Sequence, residues 1–138
     1  MTKVPRGFRP IPRLSPFNAL VGPLYERKKR GAALTIGLRI EDKHTNSRGI
    51  CHGGVLATLA DLSLGYAMHA ESGGKSAFVT AHLAVDYAGA AKAGDWIESA
   101  VQIQRLGSRL AFANCYLVSA GRRIVRASAI FARSDTQE

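Results

Sequence analysis

Residues 52–71, HGGVLATLADLSLGYAMHAE, constrain this chain more than any other segment. Val55, Leu56, Leu59, Leu62 and Leu64 fall where a helix gathers them, with Ala57, Ala60 and Ala67 between. Twenty residues make about 30 Å of helix at 1.5 Å rise each. Apolar side chains cover most of its circumference, and a helix apolar nearly all round is a buried one. Ser72-Gly73-Gly74 ends it, as glycine just past a last turn does. A chain of 138 residues is one domain. Such a domain buries this helix only by wrapping the rest of itself around it.

The remaining segments can do that wrapping. Residues 33–41 alternate, with Leu34, Ile36, Leu38 and Ile40 to one side and Thr35, Gly37 and Arg39 to the other. That is the pattern of a half-buried strand. Residues 76–87 also alternate, which predicts Val79, Ala81, Leu83, Val85 and Tyr87 on one face. Strands follow at 96–105, 109–119 and 122–133, separated by turn signals at 89–95, 106–108 and 120–121. Tight connections favour antiparallel pairing. Upstream, Ser15, Pro16 and Gly22 bracket a single short helical turn, PLYERKK reads as a short strand, and 42–49 is a loop. The expected architecture is α+β: one long helix against a curled antiparallel sheet of five to six strands. A single helix leaves part of such a sheet uncovered, which predicts at least a dimer. The layout is a basic arm over 1–14, one domain over 15–133 and a tail over 134–138.

The net charge of +9 is unevenly placed. Residues 1–30 hold eight bases (Lys3, Arg6, Arg9, Arg13, Arg27, Lys28, Lys29, Arg30) and one acid, Glu26, and so carry +7 of it. The plain explanation is a solvated basic arm; the sharper one is attraction of a polyanion. The chain has no zinc finger, RNP-type aromatic motif or basic recognition helix, so charge alone argues for nucleic acid, and no such partner is expected. Cys51 and Cys115 are too few for a disulfide framework. No apolar stretch reaches signal-peptide or membrane-spanning length, so a cytoplasmic location and no membrane partner are expected.

Two features of the helix could carry chemistry. Asp61 stands mid-helix between Ala60 and Leu62, a poor place for a short carboxylate that competes for backbone hydrogen bonds. It either faces water beside Thr58 or faces a cleft as a general base or nucleophile. Cys51-His52-Gly53-Gly54 opens the helix. Glycines there bare backbone N–H groups at the positive end of the helix dipole, which suits an oxyanion; they equally permit close packing. His52 and Asp61 are nine residues apart, about 13 Å along one helix, too far for a hydrogen-bonded dyad, so either they act on different substrate atoms or they meet across a subunit boundary. Adjacent Cys51 and His52 point apart, which disfavours a Cys–His nucleophile. His44, His69 and His82 show no metal-ligand spacing, so no metal is expected.

Asn46, His52-Gly53-Gly54 and Leu59-Ala60-Asp61, in that spacing, resemble the hotdog-fold acyl-CoA thioesterases, specifically the phenylacetate-pathway group. Residues 17–25, the stretch 80–87 and the Gly94-Asp95 turn are similar too, so the resemblance covers about residues 16–133. It implies a hotdog fold whose dimers, often paired into tetramers, hold active sites at the subunit interface. It implies hydrolysis of an acyl-CoA to a free acid and CoA, with no cofactor beyond the CoA of the substrate. By the same resemblance Gly53 N–H would bind the thioester carbonyl. Asp61 of the facing subunit would act as general base or nucleophile, Asn46 would position water or help hold the reacting groups, and His52 would orient the thioester or assist the leaving thiolate. Thr80 would support the carboxylate. Gly54, Leu62, Gly65 and Tyr66 are candidates for the substrate site. Lys92, Arg109, Arg122 and Arg123 are candidates for holding CoA phosphates. Competing readings are an acyl-CoA-binding hotdog protein without turnover, and another acyl-thioester enzyme such as an enoyl-thioester hydratase.

Overall fold

The computed structural model describes residues 3–135. The long helix, α2 (Gly53–Glu71), starts one residue after His52, which is its N-cap. Ahead of it lie β1 (Arg9–Pro10), α1 (Pro16–Val21), β2 (Leu24–Arg27) and β3 (Thr35–Arg39). After it come β4 (Ser76–Tyr87), β5 (Trp96–Leu106), β6 (Leu110–Ser119) and β7 (Arg122–Asp135). All seven strands form one antiparallel sheet in the order β1-β2-β3-β5-β6-β7-β4. The sheet wraps α2, whose Leu56, Leu59, Leu64 and Met68 are buried against Ile36, Leu38, Ile97, Leu117 and Val125. Each such side chain contributes about 1.5–3 kcal/mol by leaving water.

The expectation of five to six strands falls short, and the reason lies in the arm. Arg9 and Pro10 pair with Glu26 and Tyr25, adding a seventh strand at one edge. Ile11 is buried and its N–H donates to Leu24 O at 3.1 Å. The Phe8 ring meets the Trp96 ring edge-on at 5.1 Å, and the Arg27 guanidinium lies 4.5 Å above Phe8. Arg9 also pairs with Glu26 at 2.8 Å. The described part of the arm is therefore anchored on the sheet through Phe8 and Ile11, while its bases Lys3, Arg6, Arg9 and Arg13 stay exposed to solvent. Met1 and Thr2 lie outside the described residues. At the other terminus β7 takes in 134–135 of the expected tail, pairing Asp135 with Ser76; residues 136–138 lie outside the described residues.

One strand differs in phase from its sequence pattern. A β-bulge falls between Thr80 and His82, where Thr80 pairs with Phe131 and His82 with Ile130. An extra residue in one strand flips the alternation beyond it. Val79, expected on the face of Leu83 and Val85, is instead 66% exposed, while Phe78, Leu83 and Val85 pack on the core. The bulge thereby turns Phe78 and Thr80 toward α2. Among the described residues no helix is long and apolar enough to cross a membrane.

Candidate active site

Two sets of groups stand along α2. The first surrounds Asp61. Thr80 Oγ1 donates to Asp61 Oδ1 at 2.6 Å, a charge-assisted bond of short length. The bulged strand makes this possible: with unbroken alternation Thr80 would face away from the helix. Asp61 Oδ2 has no hydrogen-bond donor among the described residues. Asp61 and Thr80 open onto a cavity of about 380 Å³ that Asn18, Leu62, Gly65, Tyr66, His69, Phe78 and Phe131 also line. Of these, Asp61, Leu62, Gly65, Tyr66 and His69 recur at helical spacing and so share one face of α2. That spacing was a readable signal for His69. Phe78 and Phe131 follow from the β4–β7 register, and Asn18 of α1 reaches the cavity by a fold contact that nothing in its neighbourhood announces.

The second set is the N-terminus of α2. His52 Nδ1 accepts the N–H of Gly54 at 2.9 Å, and His52 O accepts the N–H groups of Val55 and Leu56. Gly53 N–H, at the first helical position, has no acceptor among the described residues. The first N–H groups of a helix have no partner within it. Because Nδ1 accepts, the neutral imidazole carries its proton on Nε2 and offers a donor there. Tyr87 closes the other side: its hydroxyl donates to Gly53 O at 2.7 Å, and a Cβ on Gly53 would lie 3.4 Å from its ring. Sequence reasoning assigned Tyr87 no role at the site.

The preceding loop is clasped from both sides. Asn46 Oδ1 accepts the N–H groups of Arg48 and Ile50 at 2.9 and 3.3 Å, so the side-chain carbonyl shapes its own turn and its amide NH2 remains for other partners. Cys51 N–H donates to Ala91 O, and His52 N–H to His44 O. Ile50 bridges to Lys92, which places Lys92 beside this loop. Arg122 and Arg123 start β7 at the same end of the sheet, Arg123 lying 3.9 Å over the Tyr116 ring. Arg109 sits in the β5–β6 turn at the opposite end of β6. Ten residues of strand separate the two ends by about 33 Å, so these four bases do not gather in one chain.

Burial raises the thiol pKa of Cys51 to about 11 and that of Cys115 to about 12. Both are neutral at physiological pH and poor nucleophiles. No group of three or more His, Cys, Asp or Glu side chains that could hold a metal occurs among the described residues.

A long central helix wrapped by a curved antiparallel sheet is the hotdog fold, and a carboxylate on that helix faces a cavity of about 380 Å³. The chain belongs to the thioesterase superfamily, whose family model matches residues 48–126. It is 43% identical over 131 residues to PA0474 of Pseudomonas aeruginosa, provisionally named an esterase, covering 95% of this chain and 98% of that one. It is 35% identical over 83 residues to mouse acyl-coenzyme A thioesterase 13, covering 59% of this chain and 58% of that one. Among solved structures, zebrafish thioesterase superfamily member 2 superposes with a TM-score of 0.75 at 26% identity, over 89% of this chain and 88% of that one. The Escherichia coli PaaI protein of the phenylacetic acid degradation operon gives 0.73 at 19% identity, over 80% and 79%. A hypothetical thioesterase of Streptococcus pneumoniae, solved with coenzyme A, gives 0.74 at 21%, over 83% and 91%.

Proposed function

We propose that this protein hydrolyses an acyl-CoA thioester to a free acid and CoA, at a site completed by a second copy of the chain. The observation that carries the reading is the pairing of Thr80 with Asp61 at the mouth of the cavity. Thr80 holds one carboxylate oxygen and leaves the other for a water molecule. In the reaction Asp61 Oδ2 takes a proton from water as its oxygen bonds to the thioester carbonyl carbon. Negative charge then grows on the carbonyl oxygen, where an unpartnered N–H at a helix N-terminus stabilises it. The C–S bond breaks, the acid departs, and the CoA thiolate recovers the proton.

Gly53 and Asp61 lie eight residues apart on α2, about 12 Å of rise, so one thioester cannot touch both within one chain. A two-fold pairing of β4 edges answers this. β4 ends the sheet, is 12 residues long and leaves Val79 and Tyr87 exposed. A long unpaired edge is a natural surface for a second strand, and a two-fold axis brings two such edges together. Gly53 N–H and His52 Nε2–H of one subunit would then meet Asp61 and Thr80 of the other, with the free amide of Asn46 beside the water. Lys92, Arg122 and Arg123 stand at the end of the sheet that carries the helix N-terminus and suit the CoA phosphates. Similarity to a mouse acyl-CoA thioesterase and to a structure holding coenzyme A supports the substrate class. The test is thiol release from a panel of acyl-CoAs. Wild type should release CoA from at least one, and Asp61→Ala should lose about 100-fold or more of that turnover while melting as a folded protein. CoA binding without release by wild type would replace the enzyme with a binding protein.

A further inference from the structure

The cavity beside Asp61 is apolar along its walls and polar at its far end. Leu62, Phe78 and Phe131 supply the walls, and Gly65 keeps the helix side open. The far end holds three polar side chains. Asn18 Nδ2 donates to Tyr66 Oη at 3.1 Å, which ties α1 to α2. That bond leaves the Tyr66 hydroxyl proton uncommitted and the side-chain oxygen Oδ1 of Asn18 without a donor among the described residues. His69 Nδ1 donates to Ser76 O at 2.9 Å, so the neutral ring presents Nε2 as an acceptor. Tyr66 lies five residues beyond Asp61, about 7.5 Å along the helix, and His69 about 12 Å.

We propose that Tyr66, Asn18 and His69 form the specificity end of the acyl cavity, and that the favoured acyl group carries a hydroxyl or carbonyl oxygen there. This rests on the thioesterase reading and adds to it the class of acyl group. An acyl chain that starts at Asp61 and follows the helix face brings its distal end to Tyr66. A hydrocarbon terminus would strip water from the half-buried Tyr66 and Asn18 and return nothing, whereas an oxygen function replaces the water it displaces. A site that offers hydrogen bonds to a substrate oxygen discriminates against the analogue lacking it. None of these three residues touches the reacting atoms; they position the acyl group.

The test compares kcat/KM for ω-hydroxyhexanoyl-CoA and heptanoyl-CoA, which match in heavy atoms and differ only in the terminal oxygen. Wild type should favour the hydroxylated substrate by about tenfold or more. Tyr66→Phe keeps the ring and should pull that ratio toward one, and Asn18→Ala should move it the same way. A merely structural role would slow both substrates together and leave the ratio alone. A wild-type ratio of one or less, or a preference that survives Tyr66→Phe, overturns the proposal while hydrolysis of heptanoyl-CoA leaves the thioesterase reading standing. Hydrolysis of neither, when other acyl-CoAs of the panel are turned over, overturns the proposal alone; turnover of no acyl-CoA removes both.

Discussion

At the scale of single residues the proposed catalysis turns on one backbone N–H. Gly53 occupies the first helical position, where proline is well accepted because no intrahelical bond is lost. His52 before it has φ −62° and ψ 136°, the extended conformation that a following proline demands. Gly53→Pro should therefore fold normally and lose most of kcat, by about 100-fold, through loss of one oxyanion donor. Unchanged kcat would remove Gly53 from the chemistry. Thr80→Val should cost about tenfold in turnover by freeing the carboxylate it holds. The cysteines give a pH signature. Burial raises both thiols above the ordinary value of 9, so the unfolded chain ionises first as pH rises. Their contribution to stability is whole below pH 9 and falls between about 9 and 12. Native protein at neutral pH should accordingly resist alkylation that labels the denatured chain, and rapid labelling would contradict their burial. Asp61 and the His52-Gly53 junction were legible as unusual residues in the sequence. The Thr80–Asp61 contact came there only through the family resemblance, because it depends on a bulge that alternation alone does not reveal.

At the scale of elements, α2 was readable because its length and all-round apolarity admit one interpretation. Its start at Gly53 differs by one residue from the sequence reading, as His52 caps rather than continues it. Strand positions were readable too, as was the phase of β3, but the phase of β4 was not: Ala81 at the bulge has no side-chain feature that marks it. In the arm the solvated charge was legible and the docking was not: Lys3, Arg6, Arg9 and Arg13 are exposed, while Phe8 and Ile11 pack on the sheet. Deleting residues 3–14 should lower the melting temperature by several degrees through loss of these apolar contacts, with Asp61-dependent turnover retained. The β3–β5 pair offers a sharper test of packing. A Cβ on Gly37 would fall 2.2 Å from Trp96 Cζ2, inside van der Waals contact. Gly37→Ala should destabilise by about 1–3 kcal/mol in denaturant unfolding, and a neutral effect would mean that the Trp96 ring moves freely.

At the scale of the whole molecule, the basic excess proves to be spread over several jobs. Arg9 and Arg27 brace the docked arm through Glu26, Glu98 and Phe8, and Lys28 bonds Ala32 O. Lys92, Arg122 and Arg123 lie at the end of the sheet that carries the helix N-terminus, and Arg109 stands at the other end. A sequence read alone could not separate these, since charge carries no information about which end of a strand meets which. The proposed second subunit rests on helix length instead: Gly53 and Asp61 lie eight residues, about 12 Å, apart along α2. Co-expression of Asp61→Ala with Gly53→Pro tests that claim most directly, with thiol release from an acyl-CoA as the readout. Each variant alone should be nearly inactive. Random pairing makes about half the dimers mixed, each with one intact site, so the mixture should recover about a quarter of wild-type turnover. A mixture no more active than its two parents would contradict a site shared between chains.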